Sequence, residues 1–228
     1  DGVKNPTCVE EGYTGDIYCS DCGELVAKGE VIPALGHDFV DGECTRCGAV
    51  QKEFFLDVPA DQFYYDAVVW AVDNGITTGI SETLFNPNGT CVRGQAVTFL
   101  WRAAGCPEPT LTENPFVDVA EGDFFYKAVL WALERGITTG VDDTHFAPTL
   151  ECNRAQIVTF LYRAAGEPGV DGAENPFTDV TADDFFCDAV LWAVENGITT
   201  GTTESTFAPY VTCNRAQVVT FLYRIYTE

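Results

Sequence analysis

Three arginines spaced 61 residues apart, Arg93, Arg154 and Arg215, sit in the runs Cys91-Val-Arg-Gly-Gln, Cys152-Asn-Arg-Ala-Gln and Cys213-Asn-Arg-Ala-Gln. Each falls where a helix is expected to begin, the wrong end for a cation, because the positive pole of the helix dipole lies there. An unfavourable place used three times points to binding. A guanidinium beside the unpaired amides of a helix start makes a compact receptor for a carboxylate or phosphate. The competing use is a salt bridge to Asp57, Asp118 or Asp179 that ties units together. A second chemistry lies in the cysteines. Cys19-Ser-Asp-Cys22 and Cys44-Thr-Arg-Cys47, each followed by glycine, have metal-type spacing in a segment too small for its own core. They read as a four-thiolate zinc ribbon, Cys19, Cys22, Cys44 and Cys47, folded by its metal. Cys8, Cys19, Cys22 and His37 form a rival ligand set, and disulfides are the alternative in an exported protein.

The elements that must position the arginines are written three times. A segment of about fifty residues begins at Phe55, Phe116 and Phe177 and closes on Arg102, Arg163 and Arg224 without a gap between columns. Each copy reads as helix, loop, helix. In the first, Tyr64, Ala67, Val68 and Ala71 have helical spacing over about Asp61 to Asn74, and Gly75 stands where a left-handed terminator belongs. Residues 77–88 are rich in turn formers and carry one apolar ring, Phe85, equivalent to Phe146 and Phe207. Asn153 with Gln156, and Asn214 with Gln217, have capping-box spacing at the start of the second helix. Val92 takes the cap position in the first copy, which predicts a less firmly fixed start. Arg102, Arg163 and Arg224 lie in the last helical turn, where a cation complements the dipole. Arginines nine residues apart on one helix face nearly opposite ways, so the two columns need separate explanations. Trp70, Trp131 and Trp192 are mid-helix and read as core, as do Cys91, Cys152 and Cys213.

Composition narrows the partners. The net charge of −23 over 228 residues argues against nucleic acid, whose phosphates are bound by clustered Lys and Arg. No apolar run approaches the roughly 20 residues of a spanning helix, so membrane insertion is not expected. Forty-six per cent apolar residues predict a folded chain. Only two histidines occur, His37 and His145, and no acid, base and nucleophile converge in the sequence, so catalysis is not expected. Acidic pairs such as Asp142-Asp143 and Asp183-Asp184 read as solvated surface. Cys106 and Cys187 have no assigned role, and a bridge between them is one option. With no methionine and no leader, the chain reads as a piece of a longer protein whose cargo lies upstream.

The columns Phe-x-Asp-Val, Gly-Ile-x-x-Gly, Thr/Leu/His-Phe-x-Pro and the arginine run resemble S-layer homology (SLH) modules, the anchoring repeats of bacterial envelope proteins, over about residues 53–225. The resemblance implies a mainly α fold: three helix-loop-helix modules in a pseudo-threefold bundle, behind a small Cys-rich β/loop module. The corresponding boundaries are 1–50, 53–105, 114–166 and 175–228. It further implies that intermodule grooves hold a pyruvylated secondary cell-wall polysaccharide at the bacterial wall or S-layer, with the motif arginines pairing the anionic sugar. The carried-over residues are Arg93, Arg154 and Arg215; Gln95, Gln156 and Gln217, where the family commonly has Glu; Asp57, Asp118 and Asp179; and Gly79, Gly140 and Gly201. Phe63, Phe124 and Phe185 replace the family's tryptophan. They can still pack against a pyranose face but donate no hydrogen bond. Tyr65 and Tyr126 keep the nearby tyrosine, which is Cys187 in the third copy. A protein-binding or self-assembling surface is the alternative to polysaccharide binding. The first residues also resemble small cysteine-paired modules, with Gly36-His37 and a closing Cys-x-x-Cys-Gly, found before anchoring repeats in some clostridial surface proteins.

Overall fold

A computed structural model describes residues 2–40, 43–49, 55–170 and 172–227. The chain divides into two compact units, Asp1–Glu53 and Phe54–Glu228. The first is built of three short antiparallel pairs: β1 (Gly12–Tyr13) with β4 (Val31–Ile32), β2 (Ile17–Tyr18) with β3 (Leu25–Ala27), and β5 (Phe39–Val40) with β6 (Glu43–Cys44). Its described apolar side chains stay largely in solvent; Ile17, Leu25, Val26, Val31, Leu35 and Val40 are all exposed. Two-stranded pieces with no apolar face to bury are marginal by themselves.

The second unit contains α1 (Tyr65–Asp73), α2 (Arg93–Ala103), α3 (Tyr126–Glu134), α4 (Arg154–Ala164), α5 (Cys187–Glu195) and α6 (Arg215–Thr227). Each first helix starts four residues later than its apolar spacing suggests. Residues 59–64 are consumed in turns closed by the Gln62 and Tyr65 amides on the carbonyls of Pro59 and Gln62. It ends as expected: Gly75, Gly136 and Gly197 take φ of 67°, 69° and 68°, a left-handed conformation that other residues adopt only with strain. Asn153 and Asn214 accept from the Gln156 and Gln217 amides at 2.9 and 2.8 Å. Those glutamines return the bond to the cap amides at 3.1 and 3.0 Å. Val92 has no acceptor to offer, and only the return bond from its amide to Gln95 Oε1 survives, at 3.3 Å.

The helices that pack together come from different repeats. α2 lies on α3, α4 on α5, and α6 on α1, so each repeat's second helix holds the first helix of the next and the third repeat closes onto the first. α2 also packs on α4 and α6, and the three meet around Ala96, Leu100, Ile157, Phe160, Leu161, Val218 and Leu222. Just before these helices a ring of backbone bonds encircles the pseudo-threefold axis: Cys91 N–H to Cys213 O, Cys152 N–H to Cys91 O and Cys213 N–H to Cys152 O, at 2.9–3.0 Å. All three cysteine side chains are fully buried beside it. A closed ring of three non-local bonds needs all three copies, which explains why one short unit has no core of its own.

Candidate functional site

The arginine column occupies the first position of α2, α4 and α6, and each side chain reaches into the loop of the following repeat. Arg93 Nε donates to Phe146 O, Arg154 Nε to Phe207 O and Arg215 Nε to Phe85 O, all at 2.9 Å. The guanidinium carbons stand 4.6–4.7 Å from the centroids of those same rings. Phe160, Phe221 and Phe99 approach at 5.3–5.7 Å. Such desolvated cation–π contacts are worth about 2 kcal/mol. Only 3–4% of each arginine is exposed, and burial pulls its pKa down, though a guanidinium stays charged at any physiological pH. Nη2 of Arg93 and Arg154 donates to buried Thr138 and Thr199, at 3.3 and 3.1 Å. Nη2 of Arg215 has no partner among the described residues. No account of that difference follows from the local contacts. Each arginine is thus a buried cation whose Nη1 donates to nothing among the described residues.

Two expectations about this column need correction. The helix-start amides are not free to hold an anion. Arg93 and Gly94 N–H bond Leu150 O and Pro148 O, and Arg154, Ala155, Arg215 and Ala216 bond loop carbonyls likewise. The third amide of α4 and α6 is taken by the asparagine cap. Nor does the salt bridge form: among the described residues no ion pair joins these arginines to Asp57, Asp118 or Asp179. Each aspartate instead spreads its two oxygens over consecutive loop amides, Asp57 on Phe85 and Asn86, Asp118 on Phe146 and Ala147, Asp179 on Phe207 and Ala208, at 2.7–2.9 Å. Both peptides flanking each loop phenylalanine are therefore held at their N–H by an acid, and the one that follows is also held at its carbonyl by the previous repeat's arginine. This arrangement gives the aspartates a loop-fixing job.

Arg215 lines a groove of about 350 Å3. Thr77, Thr78, Gly79, Ile80, Gln95, Thr98, Phe99 and Arg102 come from the first repeat, Phe124 from the second and Arg215 from the third. Gly79 has φ of 81°, and a Cβ there would sit 2.5 Å from the Phe55 ring; Gly140 and Gly201 are equally confined against Phe116 and Phe177. Glycine is thus required by the loop's own packing, and its bare backbone also lets a ligand approach. Gln95 Oε1 is committed to the Val92 amide, which leaves its side-chain amide as a donor. Phe63, Phe124 and Phe185 are 61–70% exposed, each braced edge-on at 5.0–5.1 Å by Tyr64, Phe125 or Phe186. A braced, exposed ring beside a cation and amide donors suits an anionic, hydroxyl-bearing ligand.

Arg102 was absent from the expected site because it faces away from Arg93. The groove brings it instead to Arg215, which belongs to another repeat, while its Nη1 donates to Ile76 O at 3.0 Å. Arg163 and Arg224 make the equivalent bonds to Ile137 O and Ile198 O. Trp131 and Trp192 are buried, and Trp70 packs against Tyr223 and Tyr226, as core positions do. Cys106 is exposed, Cys187 is buried, and both are free thiols.

In the first unit the fold gathers neither expected cysteine set. Cys8, His37, Cys44 and Cys47 converge, with all four ligand atoms within 4.8 Å of one another, close enough to hold a metal ion. Cys19 and Cys22 lie in the turn between β2 and β3, where the Cys19 amide bonds Glu24 O and the Gly23 amide bonds Cys19 O. Cys44, Cys47 and Gly48 make the same turn after β6, with the Cys44 amide on Ala49 O and the Gly48 amide on Cys44 O. Spacing alone paired the two turns with each other; the chain path brings Cys8 and His37 to the second one instead. Burial pushes the Cys8 thiol up to about 11. Burial also raises Cys44, but donors including the Asp38 and Arg46 amides outweigh it and bring that thiol down to about 5.

Comparison with known proteins gives matches of the S-layer homology domain family to residues 54–97, 115–158 and 176–219, together more than half of the chain. An S-layer protein of Bacillus thuringiensis subsp. finitimus is 25% identical over 76% of this chain and 21% of its own length. An endoglucanase of Bacillus sp. (strain KSM-635) is 27% identical over 72% of this chain and 18% of its own. The surface-layer 125 kDa protein of Lysinibacillus sphaericus is 30% identical over 60% of this chain and 11% of its own. The chain spans about a fifth or less of the length of these relatives.

Proposed function

The chain belongs to the S-layer homology domain family, and on that premise we propose that residues 54–228 anchor a bacterial surface protein noncovalently to the cell wall. The ligand is a secondary cell-wall polysaccharide carrying an acidic substituent such as pyruvate, held in the grooves between repeats. The observation that carries this reading is Arg215, a buried cation lining a groove that also presents Gln95, Arg102 and the exposed Phe124. A pyruvate ketal offers a carboxylate for the guanidinium and a sugar face for the ring. By the repeat symmetry, Arg93 with Gly140, Gln156 and Phe185, and Arg154 with Gly201, Gln217 and Phe63, are the further binding positions of this reading. Asp57, Asp118 and Asp179 support the site through the loops rather than touching sugar. Relatives that carry such repeats include both an S-layer protein and an endoglucanase, which fits a module that locates its carrier at the bacterial surface whatever the carrier does. For the first unit we propose a structural zinc ion.

The test is sedimentation of the full chain with wall sacculi that retain their polysaccharide against sacculi stripped of it. Polymer-dependent pelleting that falls at least tenfold in Phe63→Ala/Phe124→Ala/Phe185→Ala supports the reading. Equal recovery with both preparations assigns the repeats to protein binding or self-assembly instead.

A further inference from the structure

We propose that one zinc ion is held by Cys8, His37, Cys44 and Cys47, and that Cys19 and Cys22 stand outside this site. The distances suit a tetrahedral ion. With Zn–S near 2.3 Å and Zn–N near 2.0 Å, the edges of a tetrahedron are about 3.8 Å between sulfurs and about 3.5 Å between sulfur and nitrogen. Cys8 Sγ lies 3.8 Å from Cys44 Sγ, and Cys47 Sγ lies 3.4 Å from His37 Nδ1. These are the separations of ligands around a common centre. The turn that carries Cys44 and Cys47 supplies supporting donors, with the Asp38 amide 3.5 Å from Cys44 Sγ, the kind of bond that orients and stabilises a metal thiolate.

The composition of the interior makes the same case independently. Among the described residues before position 50, the buried side chains of the apolar class are Cys8 and Cys44, while Ile17, Leu25, Val26, Val31 and Val40 of the strands remain exposed and Ile32 is half-buried. A unit whose centre is two thiols gains little from burying hydrocarbon, and metal ligation is the usual replacement for a missing core. Binding takes the three cysteines as thiolates, any remaining thiol proton passing to solvent, and leaves a three-sulfur, one-nitrogen site of net charge −1. The Cys19–Cys22 turn copies the backbone of the second turn, but among the described residues it joins no metal-binding group.

Metal content and cobalt spectra of the full chain, purified reduced and saturated with zinc or cobalt, test this. The expected result is about one equivalent of zinc and a cobalt spectrum of three thiolates and one imidazole. That equivalent is retained in Cys19→Ser/Cys22→Ser. It is lost in Cys44→Ser/Cys47→Ser by more than the roughly 10–100-fold weakening that removal of a supporting bond causes. Because the ligand variant can unfold the unit, His37→Cys serves as the second probe: it keeps the ion and shifts the cobalt bands to those of four thiolates. Loss of metal in Cys19→Ser/Cys22→Ser, a four-thiolate spectrum in the unaltered chain, a second tight equivalent, or a metal-free chain with paired disulfides each overturns the assignment.

Discussion

Arg215 Nε donates to the carbonyl oxygen of Phe85 at 2.9 Å across 130 residues of sequence, and this bond closes the ring that Arg93 and Arg154 make with Phe146 and Phe207. Removing it strands a buried carbonyl and forfeits a desolvated cation–π contact with the Phe85 ring. Arg215→Ala should therefore cost about 2–4 kcal/mol of unfolding free energy, measured by denaturant titration followed by tryptophan fluorescence. A loss under about 0.5 kcal/mol would show that the arginine does not tie the third repeat to the first.

Val92 is the one second-helix cap without an acceptor, and its backbone already has the extended conformation of the asparagine caps, φ −87° and ψ 161° against −87° and 170° at Asn153. Val92→Asn restores the missing bond to the Gln95 amide and should raise stability by about 1 kcal/mol. No gain, or a loss, would mean that Val92 contributes by packing what the cap would add.

The axial cysteines set an alkaline limit. Burial pushes Cys152 and Cys213 from 9.0 to about 12, and Cys91 further in the same direction. Between those values the unfolded chain has released protons that the folded chain retains, so stability that is complete below pH 9 falls as pH rises. The slope is about 1.4 kcal/mol per pH unit for each thiol. Cys152→Val and Cys213→Val should each flatten the decline between pH 9 and 12 by about that amount. An unchanged slope would place the alkaline sensitivity elsewhere.

With a net charge of −23 the chain repels an anionic polymer at long range, while the arginine contacts act at short range. Affinity should pass through a maximum as salt rises, first screening repulsion beyond about 8–10 Å and then weakening the arginine contacts. Titrating binding from low to high ionic strength checks this, and a steady fall from the lowest salt would contradict it.

The residues that were legible in the sequence, and those that were not, divide by how far their partners lie. Helix ends at Gly75, Gly136 and Gly197 and the caps at Asn153 and Asn214 are local chemistry, spelled by residue type and spacing. The partner of each arginine is not local. Nothing in periodicity says that Arg93 serves the loop of the next repeat, that its neighbouring amides are spent on that loop's carbonyls, or that Arg102 shares a groove with Arg215. Those facts follow from cyclic closure, which a pattern read along one copy does not contain. The cysteine module failed in the same way: two identical turns invited pairing with each other, whereas the fold gave one of them Cys8 and His37.

Phe63, Phe124 and Phe185 separate binding from folding, because they are 61–70% exposed and Phe124 lines the Arg215 groove, whereas Arg215 also holds the Phe85 carbonyl. The decisive measurement is calorimetric titration of purified, acid-substituted wall polysaccharide into the unaltered chain and into Phe63→Ala/Phe124→Ala/Phe185→Ala. The account predicts a loss of affinity of at least tenfold, about 1.4 kcal/mol, with unfolding free energy changed by less than about 0.5 kcal/mol. Equal affinity for the two chains, or binding that persists after the acidic substituent is removed from the polymer, would contradict it.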